Sequence, residues 1–137
     1  MTAKEFLKQY EYAVNRAARC REEYESETIM IDAVRSLSDN DGMPHGNGIS
    51  KPTEDKAVRL AEKRNRLIEA EQEAIRIRGE LFDFINSIDG DEGKVLYLRY
   101  IKLHLWRDIA DKMNYTERAV FQIHVRALRI VEEKRSL

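Results

Sequence analysis

Apolar residues recur along this chain in two different rhythms. From Thr2 to about Leu37 they advance by alternating steps of three and four (Leu7, Tyr10, Val14, Ala17, Tyr24, Ile31), with no proline or glycine to interrupt them. Such steps line one side of a helix and predict a coiled-coil seam. Arg21 and Thr28 occupy the intervening seam sites, so the seam is weakly hydrophobic. A second stretch from Glu54 to about Ile88 has the same rhythm in Ala57, Leu60, Leu67, Ala74, Leu81, Ile85 and Ile88, with Arg64, Glu71 and Arg78 filling the gaps and only Gly79 breaking the run. Between the two lies SDNDGMPHGNGISKP, with three glycines and two prolines, which cannot continue a helix and predicts a loop over 38–53. Thr53, followed by Glu54 and Asp55, has the signature of a helix cap with acids in the first turn. Two helices of similar length around one loop are most economically an antiparallel hairpin. Its marginal seam predicts further burial against another protein, with dimerisation the first candidate.

In the last third the rhythm shortens into three helical runs. Val95, Leu96, Leu98, Tyr100 and Ile101 mark the first, Trp106, Ile109, Ala110 and Met113 the second, and Val120, Ile123, Ala127 and Leu128 the third. Gly90 is suited to stopping the preceding long helix. The second and third runs are parted by Asn114-Tyr115-Thr116, where Asn can take the left-handed conformation of a tight turn and Thr can cap the next helix. Ala110, small and four residues ahead of the turn, lets the third helix cross closely. The expected fold is therefore all-α: a coiled-coil-like helical hairpin over 1–89, for dimerisation or partner docking, then a trihelical helix-turn-helix module over 90–137.

The outward side of the third helix carries candidate DNA-reading groups. Glu117, Arg118, Phe121 and Gln122 lie near its start, which reaches deepest into a major groove; arginine can bond guanine twice and glutamine can do so with adenine. Arg126 and Arg129, further along, together with Thr116, Lys112 and Arg107, are candidates for phosphate contact. Phe121 admits two readings, contact with thymine methyl groups or burial against the long hairpin.

These residues resemble a known family. VLYLRY, WRDIADKMNYT and ERAVFQIHVRAL, within 91–133, are similar to the fourth conserved region of bacterial sigma factors, with Val120, Gln122, Ile123, Ala127 and Leu128 in the register of the recognition helix. The Tyr-Thr turn followed by V-x-x-x-H-x-x-AL resembles small phage regulators of the ArpU type, as does the loop GMPHGNGISKPT at Gly42 to Thr53. The resemblance implies a sigma-like activator of phage late transcription that binds double-stranded promoter DNA and works with RNA polymerase. Two departures stand out: Leu105 replaces the usual Thr or Ser cap, and Asn114 replaces the frequent Gly.

Charge supports this division of labour. The formal net charge is −1, but residues 91–137 carry +3 and residues 1–90 carry −4, so the basic end is the DNA end. The excess is small, so useful DNA affinity calls for a second copy or a partner. No stretch approaches the roughly 20 apolar residues of a membrane span and no signal-like start is visible, so a cytoplasmic protein without membrane association is expected. The single Cys20 excludes an internal disulfide and is read as a helix packing residue.

His45 in the loop lacks neighbouring ligands and is read as a loop residue. His104 and His124 lie on different helices and are not expected to share a metal; His124 is expected to border the packing surface or touch a phosphate. Tyr97, Tyr100 and Trp106 could stack on bases, but their helical spacing favours the core. The runs REEYESE and EAEQE read as solvated helix faces. No nucleophile, phosphate cradle or acid-base constellation stands out, so neither catalysis, nor a cofactor, nor a metal is expected. A small-terminase-like packaging protein, which forms rings, and an interaction module without DNA binding are the competing readings.

Overall fold

The computed structural model describes residues 1–39 and 51–137, and among them the chain is all-α, with no strand. The helices are α1 (Ala3–Leu7), α2 (Gln9–Asp39), α3 (Lys51–Asn86), α4 (Gly90–Leu96), α5 (Trp106–Met113) and α6 (Glu117–Arg135), and α4 runs on into a π-helical turn over Tyr97–Ile101. The core of the expected loop, with His45, lies outside the described residues. The backbone of α3 begins at Lys51, so Thr53 sits inside the first turn and is not its cap; Pro52 is tolerated there because first-turn amides need no helical partner. The first helical run is also not continuous. Lys8 breaks it between α1 and α2, while α1 has its own capping box, the Glu5 amide donating to Thr2 Oγ1 at 3.2 Å and the Thr2 amide to Glu5 Oε2 at 3.0 Å.

The chain forms two compact units, Asn15–Gln72 and Met1–Val14 with Glu73–Leu137. In the first, α2 and α3 pair antiparallel, since Arg21 bonds Glu71 while Lys63 reaches back to Glu23 at 3.2 Å and Glu27 at 3.3 Å. Those carboxylates hold the Lys63 ammonium above its usual range. The charges that interrupt the seam in sequence therefore meet across it. Apolar burial is thin, with only Leu67 and Ala70 of the described residues buried in this unit. Exposed ion pairs of this kind contribute at most about 1 kcal/mol each, so they set register more than stability.

The second unit draws on both ends of the chain. One core joins Ala3 and Leu7 of α1 to Leu81 and Ile85 of α3, to Leu96, Tyr100 and Ile101, and to Ala127 and Val131 of α6. Phe6 meets Phe84 edge-on at 5.0 Å, and Arg135 lies over the Phe6 ring at 4.7 Å while donating to the Met1 carbonyl at 3.2 Å. The second core holds Val95, Leu98, Ile109, Ala110, Val120 and Ile123, flanked by Trp106 and Met113. Val95, Leu96, Leu98, Tyr100 and Ile101 are too dense for one stripe of a regular helix. The π turn resolves this by adding a residue to the turn, so all five are buried but are shared between the two cores. Lys102 N–H bonds the Tyr97 carbonyl at 3.0 Å, and Leu103, at φ +58°, takes a left-handed conformation that stops the helix.

The connection from α3 to α4 is unusually tight. Gly90 has φ +79°, in the left-handed region, and so opens α4 instead of ending α3, which stops four residues earlier at Asn86. Gly93 faces the Ile88 carbonyl oxygen so closely that a Cβ there would lie 2.0 Å from it. Backbone cannot yield to such a contact as a side-chain tip can. Gly93→Ala is expected to cost about 2 kcal/mol or more, read as a fall in the urea midpoint with little change in the slope of the transition.

Candidate nucleic-acid interface

The turn between α5 and α6 follows its sequence chemistry. Asn114 sits at φ 59°, ψ 40°, the left-handed conformation, and the chain doubles back so that Tyr115 N–H bonds the Ala110 carbonyl at 3.0 Å. Thr116 is extended and its Oγ1 accepts from the Ala119 amide at 3.1 Å, capping α6. At the other end of α5, Leu105 gives extended backbone without a side-chain cap. A further tie is not evident in sequence: the Tyr115 hydroxyl donates to Asp91 Oδ2 at 2.6 Å, fastening the turn to the start of α4. That hydrogen bond also raises the phenol above its usual range.

Helix α6 buries Val120, Ile123, His124, Ala127 and Val131, while Leu128 is half-buried. Its other side presents Glu117, Arg118, Phe121, Gln122, Arg126 and Arg129, all exposed. Arg118, Gln122 and Arg129 fall at steps of four and seven along the helix, which puts them in one line. Thr116 in the turn and Arg107 and Lys112 on α5 are exposed as well. Arg107 and Lys112 are five residues apart, about 140° around a helix, so they do not share a face. Arg126 is already engaged, its Nε donating to Glu92 Oε1 of α4 at 3.2 Å. Val125, 49% exposed and one turn beyond Phe121, joins this face without having been singled out in sequence; its β-branched side chain lies outside the buried stripe, and that periodicity was the available signal.

Phe121 is 43% exposed, and its ring leans on Trp106 at 5.1 Å between centroids. The support is thus within its own module. Trp106 is in turn held by Arg99, whose guanidinium lies 4.5 Å from the ring centre and also donates to the His104 carbonyl at 2.9 Å. Tyr100 is buried in the first core, and Trp106, half-buried, packs against the second.

His124 takes the first of its two expected places, on the packing surface. It is buried, its ring meets Trp106 edge-on at 4.7 Å, and its Nε2 shares a hydrogen bond with the Tyr100 hydroxyl at 2.7 Å. No phosphate can reach it there. Its i+4 relation to Val120 placed it on the buried stripe all along. Burial, with Lys4 and Arg99 adding to it, pushes the imidazole down to about 4, and burial raises the Tyr100 phenol to about 12. Both rings are therefore neutral near pH 7.

A pH dependence follows from the lowered imidazole. The unfolded chain takes up this proton near 6.5 and the folded chain only near 4. Stability from this site is therefore complete above about pH 6.5, falls as the pH drops towards 4, and is level below. The total loss is at most about 3 kcal/mol. Urea midpoints measured across this range should fall in the natural chain and should fall less steeply in His124→Leu, which cannot charge.

No curated protein and no solved structure matches the chain. One family model does, over residues 36–132, which takes in the end of α2, all of α3 and most of the C-terminal helices. The chain belongs to that family, described as proteins of unknown function (DUF1492).

Proposed function

We propose that this chain is a DNA-binding transcriptional regulator that lays α6 in the major groove. The observation that carries the reading is the outer face of α6. Arg118, Phe121 and Gln122 are exposed on the first turns of a helix whose start is fixed by the Thr116 cap, the left-handed Asn114 and the bond from Tyr115 to Asp91. Base-reading side chains are useful only on a backbone held to within a fraction of an ångström, and this start is held from three directions. Arg118 and Gln122 are the base-reading groups, with Glu117 available to accept from cytosine and Phe121 to meet a thymine methyl. Arg129 and Thr116 are placed for phosphate, with Arg107 or Lys112 adding a contact from α5. Arg126 joins them by exchanging Glu92 for phosphate.

The resemblance to sigma region 4 and to ArpU-type regulators supports a sigma-like role in phage or prophage late-gene activation, with RNA polymerase as partner, in the cytoplasm and without catalysis. The test is selection of bound fragments from the source genome at near-physiological salt, beside an Arg118→Ala, Gln122→Ala double variant. One enriched motif is expected with the natural chain. The variant should lose it, since two bidentate contacts discriminate by about 1–3 kcal/mol each. Sequence-independent fragments, bound equally by both proteins, would overturn base reading by α6. A ring of many subunits would favour DNA packaging.

A further inference from the structure

Helix α3 carries a second stripe besides the one it turns towards α2. Asn65, Ile68, Gln72, Ile75, Gly79 and Phe82 follow one another at alternating steps of three and four, all uncharged in a helix otherwise dense in Glu, Arg and Lys. All six are exposed, Ile75 at 71%, Ile68 at 40% and Phe82 at 37%. In heptad terms Ile68, Ile75 and Phe82 take the d positions, and Asn65, Gln72 and Gly79 the a positions. The buried Leu67, Ala74 and Leu81 fall at c, on another side of the helix. The stripe therefore has the pattern of a coiled-coil seam; Phe82 touches the Tyr97 ring edge-on at 6.1 Å, and Ile68 and Ile75 stay largely open among the described residues.

We infer that the occupant is α3 of a second copy, packed parallel and in register. The flanking charges identify it. In a parallel pair, each g residue meets the e residue five positions further along the other helix. Here the three g–e combinations are Arg64 with Glu69, Glu71 with Arg76, and Arg78 with Asp83, and every one joins opposite charges. Glu71 is already bonded to Arg21, and Arg76 to Glu73 and Glu80, but each keeps a substantially exposed side chain with further hydrogen-bonding capacity.

Two features of the seam agree with this occupant. A buried Asn at an a position fixes register and two-stranded pairing, which is what Asn65 supplies. Gly79 weakens a helix interior relative to alanine, and among the described residues nothing beyond its own stretch of helix lies within 4 Å of where its Cβ would be, so packing there does not require it. Between two copies it leaves room for the bulky Phe82 rings next to it in the seam. The inference is independent of the DNA-reading proposal, because it concerns α3 and not α6.

Sedimentation equilibrium of the full chain tests it, together with oxidation of Gln72→Cys in a Cys20→Ser background. The natural chain is expected to be a dimer at low micromolar concentration. Ile75→Asp should raise its dissociation constant about a hundredfold or more, because it buries a charge without a partner. Gln72→Cys should form a disulfide between copies, since identical a positions face each other only in the parallel, in-register arrangement. Reversing the g charges with Arg64→Glu and Arg78→Glu should weaken the dimer, and adding Glu69→Arg and Asp83→Arg should restore it. A monomer at all concentrations, a dimer indifferent to Ile75→Asp, a larger ring, or a Gln72→Cys chain that does not cross-link would each overturn the proposal. The charge-reversal rescue still decides the matter if Ile75→Asp fails to fold.

Discussion

One helix has to belong to two cores at once. The first half of α6 packs into the core that holds α5 and Val95, and its second half packs against α1, the end of α3 and Leu96. A regular helix opposite it would present a single stripe and serve only one. The π turn at Tyr97–Ile101 changes the phase of the chain, so consecutive apolar residues point into different cores. The Tyr100–His124 hydrogen bond lies where the two cores meet. It is a buried polar contact that is satisfied on both sides, and a satisfied pair of this kind favours one arrangement of α6 over near alternatives.

The helix-turn-helix was legible because its signals are local. Asn114, Thr116 and the stripe Val120–Ile123–Ala127 depend on neighbours within about four residues, and the backbone adopts what those residues favour. The exposed outer face of α6 followed from the same periodicity. The less legible features rest on partners distant in sequence. Nothing near Ala3 or Leu7 indicates that they pack with Val131, and nothing near Gly93 shows that the Ile88 carbonyl lies against it. The Lys8 break and the earlier start of α3 belong to helix ends, where several caps compete within a narrow energy range.

Charges in the hairpin illustrate a division between stability and specification. Arg21 and Glu71 look like defects when each helix is read alone, because each puts a charge on a seam. Read together they are complementary, and a shift of either helix along the other would break the pair, leaving Arg21 only its neighbour Glu25 on the same helix. A weak seam that tolerates only one register is a reasonable solution for a hairpin whose apolar burial is small.

Trp106 is the only tryptophan in the chain, and it is wedged between Arg99, His124 and the half-exposed Phe121. Its indole is thus an optical reporter built into the module. Emission from this one residue would register the polarity of a surface laid over Phe121 without any added label, and a proton arriving on His124 would quench it. The same side chain that props up the outer face of α6 makes the state of that face visible to a fluorimeter.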